Sequence, residues 1–209
     1  MTIDGRIVRG ERTRVAVLDR ALPLATSEGL DGLSLGKLAD ALGMSKSGLF
    51  AHWRSKEALQ LAVIGHARRQ WTHEVIEPAM AAPRGVPRLW TVHDRRLGFY
   101  ESGRLPGGCF FANAHFEFNA RPGPIRDRLA QELRDWMTFL TRLAADAVEA
   151  GDLRPGTSAA ALAYEVESLG VCAVMQSAAL GPGTFGNARH ALREHLRALA
   201  TDPTRLELR

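Results

Sequence analysis

Cysteine is scarce in this 209-residue sequence. Its two cysteines, Cys109 and Cys172, are too few for a disulfide framework or for a zinc site built from cysteine ligands. No stretch reaches the roughly 18 consecutive apolar residues that a membrane-spanning helix needs. No apolar run follows the opening residues MTIDGRIVRGERTR, so we expect no signal peptide. Together these absences favour a cytoplasmic protein that has no contact with a membrane.

Signatures of catalysis and of cofactor binding are also missing. The sequence contains no P-loop, no dinucleotide-binding fingerprint and no locally supported Ser-His-Asp grouping. His115 and Glu117 are two residues apart and point to different sides of a helix, whereas His66 and His73 are two turns, about 10 Å, apart. Neither spacing predicts a metal site. We therefore predict no enzyme activity, no cofactor and no metal.

Lysine is rare and unevenly placed, because all three lysines, Lys37, Lys46 and Lys56, lie in the first quarter of the chain. Residues 1–56 hold 9 of the 27 Lys and Arg residues and 6 of the 23 Asp and Glu residues, a net charge of +3. Residues 57–209 carry only +1 of the total of +4. The basic excess of the N-terminal segment is consistent with an anionic partner.

Apolar residues recur with helical spacing nearly throughout, and no segment shows sustained strand alternation. We predict an all-α fold of about nine helices, at residues 12–28, 35–42, 46–52, 56–77, 88–102, 109–119, 125–150, 158–180 and 185–200. The clearest stripe comprises Ile125, Leu129, Leu133, Trp136, Leu140, Leu143 and Ala147. Pro23, inside the first helix, predicts a kink or a late helix start, since an internal proline removes a helical hydrogen bond.

The stretch ADALGMSKSGLFAHWRSKEAL, residues 39–59, has the residue types of a helix-turn-helix at the required offsets. Ala39 is small enough for a second helix to cross closely, and Gly43 permits a tight turn with positive φ. Leu49 anchors the second helix, whose other faces are polar. Short paired helices also occur in proteins that do not bind DNA, and the flanking register argues against that alternative.

Residues 12–65 resemble the N-terminal domain of the TetR family of transcriptional repressors. The resemblance is carried by Leu38-Ala39, Leu42-Gly43, Ser45-Lys46, Leu49-Phe50, His52-Trp53 and the run from Ser55 to Leu59. It implies a homodimer that places helix 46–52 of each subunit in the major groove of a palindromic operator. It also implies a DNA-binding domain at residues 1–55, and an effector-binding and dimerisation domain at residues 56–209.

The resemblance also implies roles for individual residues. By position, the side chains that face DNA are Lys46, Ser47, Gly48, Phe50 and His52, and those that contact phosphates are Ser34, Ser45 and Lys56. Residues 1–11 are expected to form a flexible basic arm, with Arg6, Arg9, Arg12 and Arg14 near neighbouring phosphates. The family usually has tyrosine at the position of Phe50. Phenylalanine cannot donate a hydrogen bond to a phosphate but can pack against a sugar or a thymine methyl.

Helix 158–180 is apolar almost all round, which indicates burial on most of its faces. A second subunit can supply the second buried face, and we predict a homodimer through helices 158–180 and 185–200. The alternative is that 158–180 is simply the central helix of a monomer.

An effector pocket is expected among aromatic residues and methionines of the larger domain. The candidates are Trp90, Phe99, Cys109, Phe110, Asn113, Phe116, Trp136, Met137 and Met175. The segment 109–119 is favoured because Pro- and Gly-rich breaks flank it and because Asn113 and His115 interrupt its aromatics. Aromatics at helical spacing also occur as plain core, and Cys109 is either a redox-sensitive thiol or a buried structural one.

These features predict a ligand-responsive dimeric transcriptional regulator, a repressor by resemblance, although an activator fits the same residues. Its partners would be double-stranded operator DNA, a small-molecule effector and a second copy of the chain. The alternative is an all-α enzyme or small-molecule-binding protein whose N-terminal helices are only structural.

Overall fold

The computed structural model describes residues 5–206 and 208, apart from the side chains of residues 5–7, 9 and 205. Over these residues the fold is all-α, with one isolated β-bridge between Leu153 and Ala200. The helices are α1 (Gly5–Glu28), α2 (Leu35–Leu42), α3 (Lys46–His52), α4 (Lys56–Trp71), α5 (Glu77–Met80), α6 (Val86–Glu101), α7 (Phe110–Phe118), α8 (Pro124–Glu149), α9 (Ala159–Leu180) and α10 (Gly183–Leu199).

The predicted fold class is confirmed, and each of the nine predicted helices has a counterpart among the described residues. The predicted helix 56–77 is longer than expected, because α4 continues through a π-helical turn, Thr72–Ile76, into α5. Pro78, directly after the predicted end at residue 77, does not end this helix. It lies at the start of α5, where a missing backbone N–H costs little.

Helix α1 differs from the prediction at its N-terminus, since it begins at Gly5 rather than at residue 12. Residues 5–11, expected to form a flexible arm, are helical. Residues 1–4 of that arm and the side chains of Arg6 and Arg9 lie outside the described residues. Of the two alternatives expected at Pro23, a kink or a late helix start, the late start is wrong: Pro23 lies well inside α1, which continues to Glu28.

The chain forms two compact units. The first comprises Met1–Arg69 and Leu105–Ala130, and the second comprises Gln70–Arg104 and Gln131–Arg209. The predicted boundary at residue 55 separates a DNA-binding part from an effector-binding and dimerisation part, and it stays a prediction. In the structure, however, Leu105–Ala130 belongs to the same unit as the N-terminal helices, a placement that the sequence did not indicate.

The first unit packs α1 to α4 around large aliphatic side chains that are fully buried: Leu22, Leu30, Leu38, Leu49, Leu59 and Ile64. In the second unit the equivalent core is formed by Leu89, Leu97, Leu140, Leu153 and Leu162. One residue of the predicted α8 stripe is outside the core, because Leu133 is 39% exposed. Burying these apolar side chains supplies most of the stabilisation of each unit.

A buried ion pair lies within the second unit. Arg96 on α6 is 2% exposed, and its guanidinium contacts the Glu167 carboxylate of α9 at 2.8 Å. The Arg96 Nε donates to the hydroxyl of Tyr100 at 3.0 Å, and the Trp136 indole N–H donates to Glu167 at 2.6 Å. Such a pair is tolerated in a core because further hydrogen bonds satisfy both charges.

The same layer contains His93, one turn before Arg96 on α6 and fully buried. Burial, and then the positive charge of Arg96, lower the pKa of His93 to about 3. The imidazole is therefore neutral at neutral pH.

Gly170 on α9 leaves the space that Arg96 occupies. A Cβ added at Gly170 would lie 2.4 Å from the Arg96 Cζ. We expect Gly170→Ala to lower the free energy of unfolding by about 1–3 kcal/mol, because the buried guanidinium must move.

The matched control is Gly98→Ala on α6, where an added Cβ meets nothing within 4 Å. We expect it to raise the free energy of unfolding by up to about 1 kcal/mol, through helix propensity alone. Urea denaturation at fixed protein concentration measures both effects. Equal effects of the two substitutions would contradict the proposed crowding at Gly170.

Candidate nucleic-acid interface

The turn between α2 and α3 has the geometry predicted from the sequence. Gly43 ends α2 in the left-handed region, with φ 61° and ψ 26°, and the Met44 N–H donates to the Ala39 carbonyl at 3.0 Å. A residue with a Cβ is disfavoured in that conformation. The glycine turn therefore sets the angle at which α3 leaves α2.

Helix α3 is anchored on one side and open on the other. Leu49 and Trp53 are buried, with exposures of 0% and 2%, so they hold α3 against the rest of the first unit. Lys46 and Ser47 are exposed, Gly48 and His52 are half-buried, and Phe50 is 49% exposed. The residues predicted to face DNA thus form the outer face of α3, which we call the α3 face: Lys46, Ser47, Gly48, Phe50 and His52.

Two serines predicted to contact phosphates also cap helices. The Ser34 Oγ accepts a hydrogen bond from the Lys37 N–H, and the Ser45 Oγ accepts one from the Gly48 N–H, both at 3.1 Å. A hydroxyl that accepts at a cap keeps its own proton. Capping is therefore compatible with donating a hydrogen bond to a phosphate.

Lys56, the third predicted phosphate contact, is the first residue of α4 and is half exposed. Its ammonium donates to the Asp31 carboxylate at 2.7 Å. The second oxygen of that carboxylate accepts from Arg121 at 2.9 Å. The hydrogen bond from Lys56, and then the one from Arg121, hold the pKa of Asp31 below its ordinary value.

Arg14, expected on the arm, instead supports α3. Its guanidinium donates to the His52 carbonyl at 3.1 Å and lies 5.0 Å from the centre of the Trp53 ring. A cation at the last carbonyls of a helix complements the helix dipole. These contacts describe Arg14 without DNA, and its predicted contact with a phosphate stays a prediction.

Helix α7 is tied to the turn that follows α1, also within the first unit. The two oxygens of the Glu117 carboxylate accept from the backbone N–H groups of Leu30 and Asp31, at 2.8 and 2.9 Å. The Asn113 amide donates to the Thr26 carbonyl at 3.2 Å and to the Gly107 carbonyl at 2.8 Å. The sequence contained no local signal for these pairings, because 86 and 87 residues separate Glu117 from its two partners.

The predicted pocket residues lie in different environments. In the second unit, Phe99 and Trp136 both pack edge-on against Trp71, with ring centroids 5.6 Å apart, and Trp90 lies beneath the guanidinium of Arg193. Met137 is half-buried, whereas Met175 is exposed. The structure thus brings Phe99 and Trp136 together around one tryptophan.

The remaining pocket candidates lie in the first unit. Phe110 is buried and Phe116 is exposed, while Asn113 makes the backbone contacts described above. Cys109 is buried at the start of α7, where its Sγ accepts from the Ala112 N–H at 3.4 Å.

No group of three or more His, Cys, Asp and Glu side chains in the described part of the chain could hold a metal ion. Over the same residues, no helix has the length and apolar character needed to cross a membrane.

Together, the glycine turn, the anchored second helix and its outer polar face define a helix-turn-helix domain joined to a larger helical unit. The profile of the bacterial regulatory proteins of the tetR family matches residues 17–63. The profile of the tetracyclin repressor-like C-terminal domain matches residues 85–196, which is more than half of the chain. The chain therefore belongs to the TetR family of transcriptional regulators, as its N-terminal residues predicted.

Solved structures of this family share the fold. A TetR transcriptional regulator from Chloroflexus aurantiacus is 24% identical with a TM-score of 0.83, and the match covers 92% of this chain and 98% of that one. A TetR-family regulator from Agrobacterium tumefaciens is 18% identical with a TM-score of 0.79, over 91% and 99% of the two chains. AibR, in complex with isovaleryl coenzyme A and operator DNA, is 19% identical with a TM-score of 0.69, over 90% and 99%. A comparison with curated proteins gave no match.

The contact between Arg14 and α3 predicts a measurable effect on stability. We expect Arg14→Gln to lower the free energy of unfolding by about 1–2 kcal/mol, because it removes a charge-assisted hydrogen bond and a cation–π contact. The control Arg12→Gln, at an exposed position on the same helix, should change it by less than about 0.5 kcal/mol. Urea denaturation measures both variants, and a loss no larger than that of the control would contradict the supporting role of Arg14.

Proposed function

We propose that the protein is a dimeric, ligand-responsive transcriptional repressor acting in the cytoplasm. It binds a palindromic operator through the α3 face and is released from DNA by a small molecule bound in its C-terminal domain. The observation that carries this proposal is the α3 face itself. Polar and basic side chains stand outward on a helix whose opposite side is buried through Leu49 and Trp53.

The chemistry of the α3 face suits the major groove of DNA. Lys46 can donate to the O6 and N7 atoms of guanine, and His52 can donate to or accept from a base edge. The exposed ring of Phe50 can contact a thymine methyl or a sugar, which replaces the phosphate contact that a tyrosine would make. Ser34, Ser45 and Lys56 lie at helix N-termini, where phosphates are favoured, and would set the register on the backbone.

Dimerisation is proposed through α9 and α10. On α9, Tyr164, Met175 and Leu180 are exposed at 68%, 58% and 72%, although the helix is otherwise strongly apolar. A contiguous apolar patch on a protein surface is typical of an interface, and these side chains support such a surface on α9. Two subunits related by a two-fold axis would present two α3 helices to successive major grooves, about 34–36 Å apart or a multiple of that distance.

The effector site is proposed in the C-terminal domain, and its clearest nucleus is the group of rings around Trp71. AibR binds isovaleryl coenzyme A and operator DNA, which supports an effector for this chain without identifying it. Helix α4 begins at Lys56 in the first unit, and its last two residues, Gln70 and Trp71, belong to the second. A small tilt of α4 would change the spacing of the two α3 helices and weaken simultaneous binding to both half-sites.

A gel-shift experiment with the DNA upstream of its own gene tests the proposed function. We expect salt-sensitive binding by the wild-type protein, and loss of specific binding in the double variant Lys46→Ala, His52→Ala with unchanged melting and dimerisation. The charge-matched control Lys37→Ala, on the exposed face of α2, should bind the fragment like the wild type. If the wild-type protein does not shift the DNA, an all-α enzyme or small-molecule-binding protein is favoured. If the double variant binds like the wild type, α3 is not the helix that recognises the operator sequence.

The proposed dimer interface predicts that Met175→Glu weakens self-association by at least about a hundredfold. The reason is that an uncompensated charge would be buried in each subunit. Analytical ultracentrifugation measures the shift from dimer to monomer. The control Leu133→Glu introduces the same charge at an exposed leucine of α8 and should leave the dimer intact. Equal behaviour of the two variants would place the interface elsewhere.

A further inference from the structure

The carboxylate of Asp31 lies between two cations from distant parts of the first unit. Lys56 Nζ contacts one oxygen at 2.7 Å, and the Arg121 guanidinium contacts the other at 2.9 Å. Lys56 begins α4, Asp31 lies in the turn between α1 and α2, and Arg121 follows α7. All three side chains are about half exposed, so they are accessible to an incoming polyanion.

Asp31 offers Lys56 the same kind of acceptor as a DNA phosphate does. Both are anionic oxygens, and a phosphate that approaches Lys56 must replace the carboxylate or share the ammonium with it. The Asp31 carboxylate is charged at neutral pH, since its pKa lies below the already acidic ordinary value of an aspartate. The contact of Lys56 with Asp31 therefore opposes the contact of Lys56 with DNA.

Arg121 changes the balance of charge in this group. With Arg121 in place, the three side chains carry one net positive charge. Without it, Lys56 and Asp31 would form a neutral pair, and the carboxylate would repel a nearby phosphate. The position of Arg121 is further defined by the ring of Phe118, whose centre lies 5.4 Å from the guanidinium.

We propose that Arg121 is a positioning residue for DNA binding, which neutralises Asp31 and so leaves Lys56 available to a backbone phosphate. This inference rests on the proposed function and deepens it. Arg121 follows α7, which is itself held to the same turn by Glu117. A displacement of α7 would withdraw Arg121 and leave Lys56 as the partner of an Asp31 carboxylate that Arg121 no longer neutralises, which gives α7 an electrostatic effect on DNA affinity.

The test is a double-mutant cycle of Arg121→Ala and Asp31→Asn. Binding is measured by fluorescence anisotropy with a labelled duplex from upstream of the gene and a random duplex of equal length, from about 50 to 200 mM salt. We expect Arg121→Ala to weaken binding about twofold to fivefold at the lowest salt, and Asp31→Asn to strengthen it by a similar factor. In the Asp31→Asn background, Arg121→Ala should weaken binding no more than the control substitution Arg126→Ala does.

The control is Arg126→Ala, which removes one positive charge from an exposed arginine near the start of α8 that pairs with Asp127. Two outcomes would overturn the inference. An equal loss of DNA affinity from Arg121→Ala in the wild-type and Asp31→Asn backgrounds would mean that Arg121 itself contacts a phosphate. A loss of affinity no larger than that caused by Arg126→Ala would mean that the contact of Arg121 with Asp31 is irrelevant to DNA binding. A wild-type protein that binds neither duplex would overturn the proposed function itself, and circular dichroism melts confirm that each variant is folded.

Discussion

The hydrogen bonds between the Glu117 carboxylate and the backbone N–H groups of Leu30 and Asp31 connect the parts of the first unit. The turn that contains Leu30 and Asp31 orients α2 relative to α1. Its Leu30 carbonyl also accepts a hydrogen bond from the Gln60 amide of α4. One short stretch of backbone therefore contacts two helices other than the pair that it joins. The placement of α2 and the environment of Lys56 both depend on this turn.

The α3 face is exposed because α3 is anchored to the rest of the first unit by its opposite side. With only seven residues, α3 is too short to be stable alone, so it relies on Leu49, Trp53 and the Ser45 cap. Arg14 adds a contact at its C-terminal end. The polar residues of the face are consequently held on a rigid support, which reading DNA by hydrogen bonds would require.

The second unit contains an ion pair in which Arg96 is buried and Glu167 is partly exposed. Arg96 and Glu167 are separated by 71 positions along the chain, yet they meet between aromatic rings and beside a glycine. Removing either partner would leave an uncompensated charge in a core, which is costly. The pair therefore joins α6 to α9 through a contact of defined geometry.

The sequence by itself determined the features that depend on neighbours within one or two helical turns. These are the all-α class, the nine helices, the glycine turn and the buried position of Leu49. Only the tertiary structure decided the partners of Arg14, Asp31, Arg96, Asn113 and Glu117, and it corrected the start of α1 and the exposure of Leu133. The physical reason is that helical periodicity and capping are local, whereas a charged side chain can satisfy its hydrogen bonds with any group that the fold brings within about 3 Å.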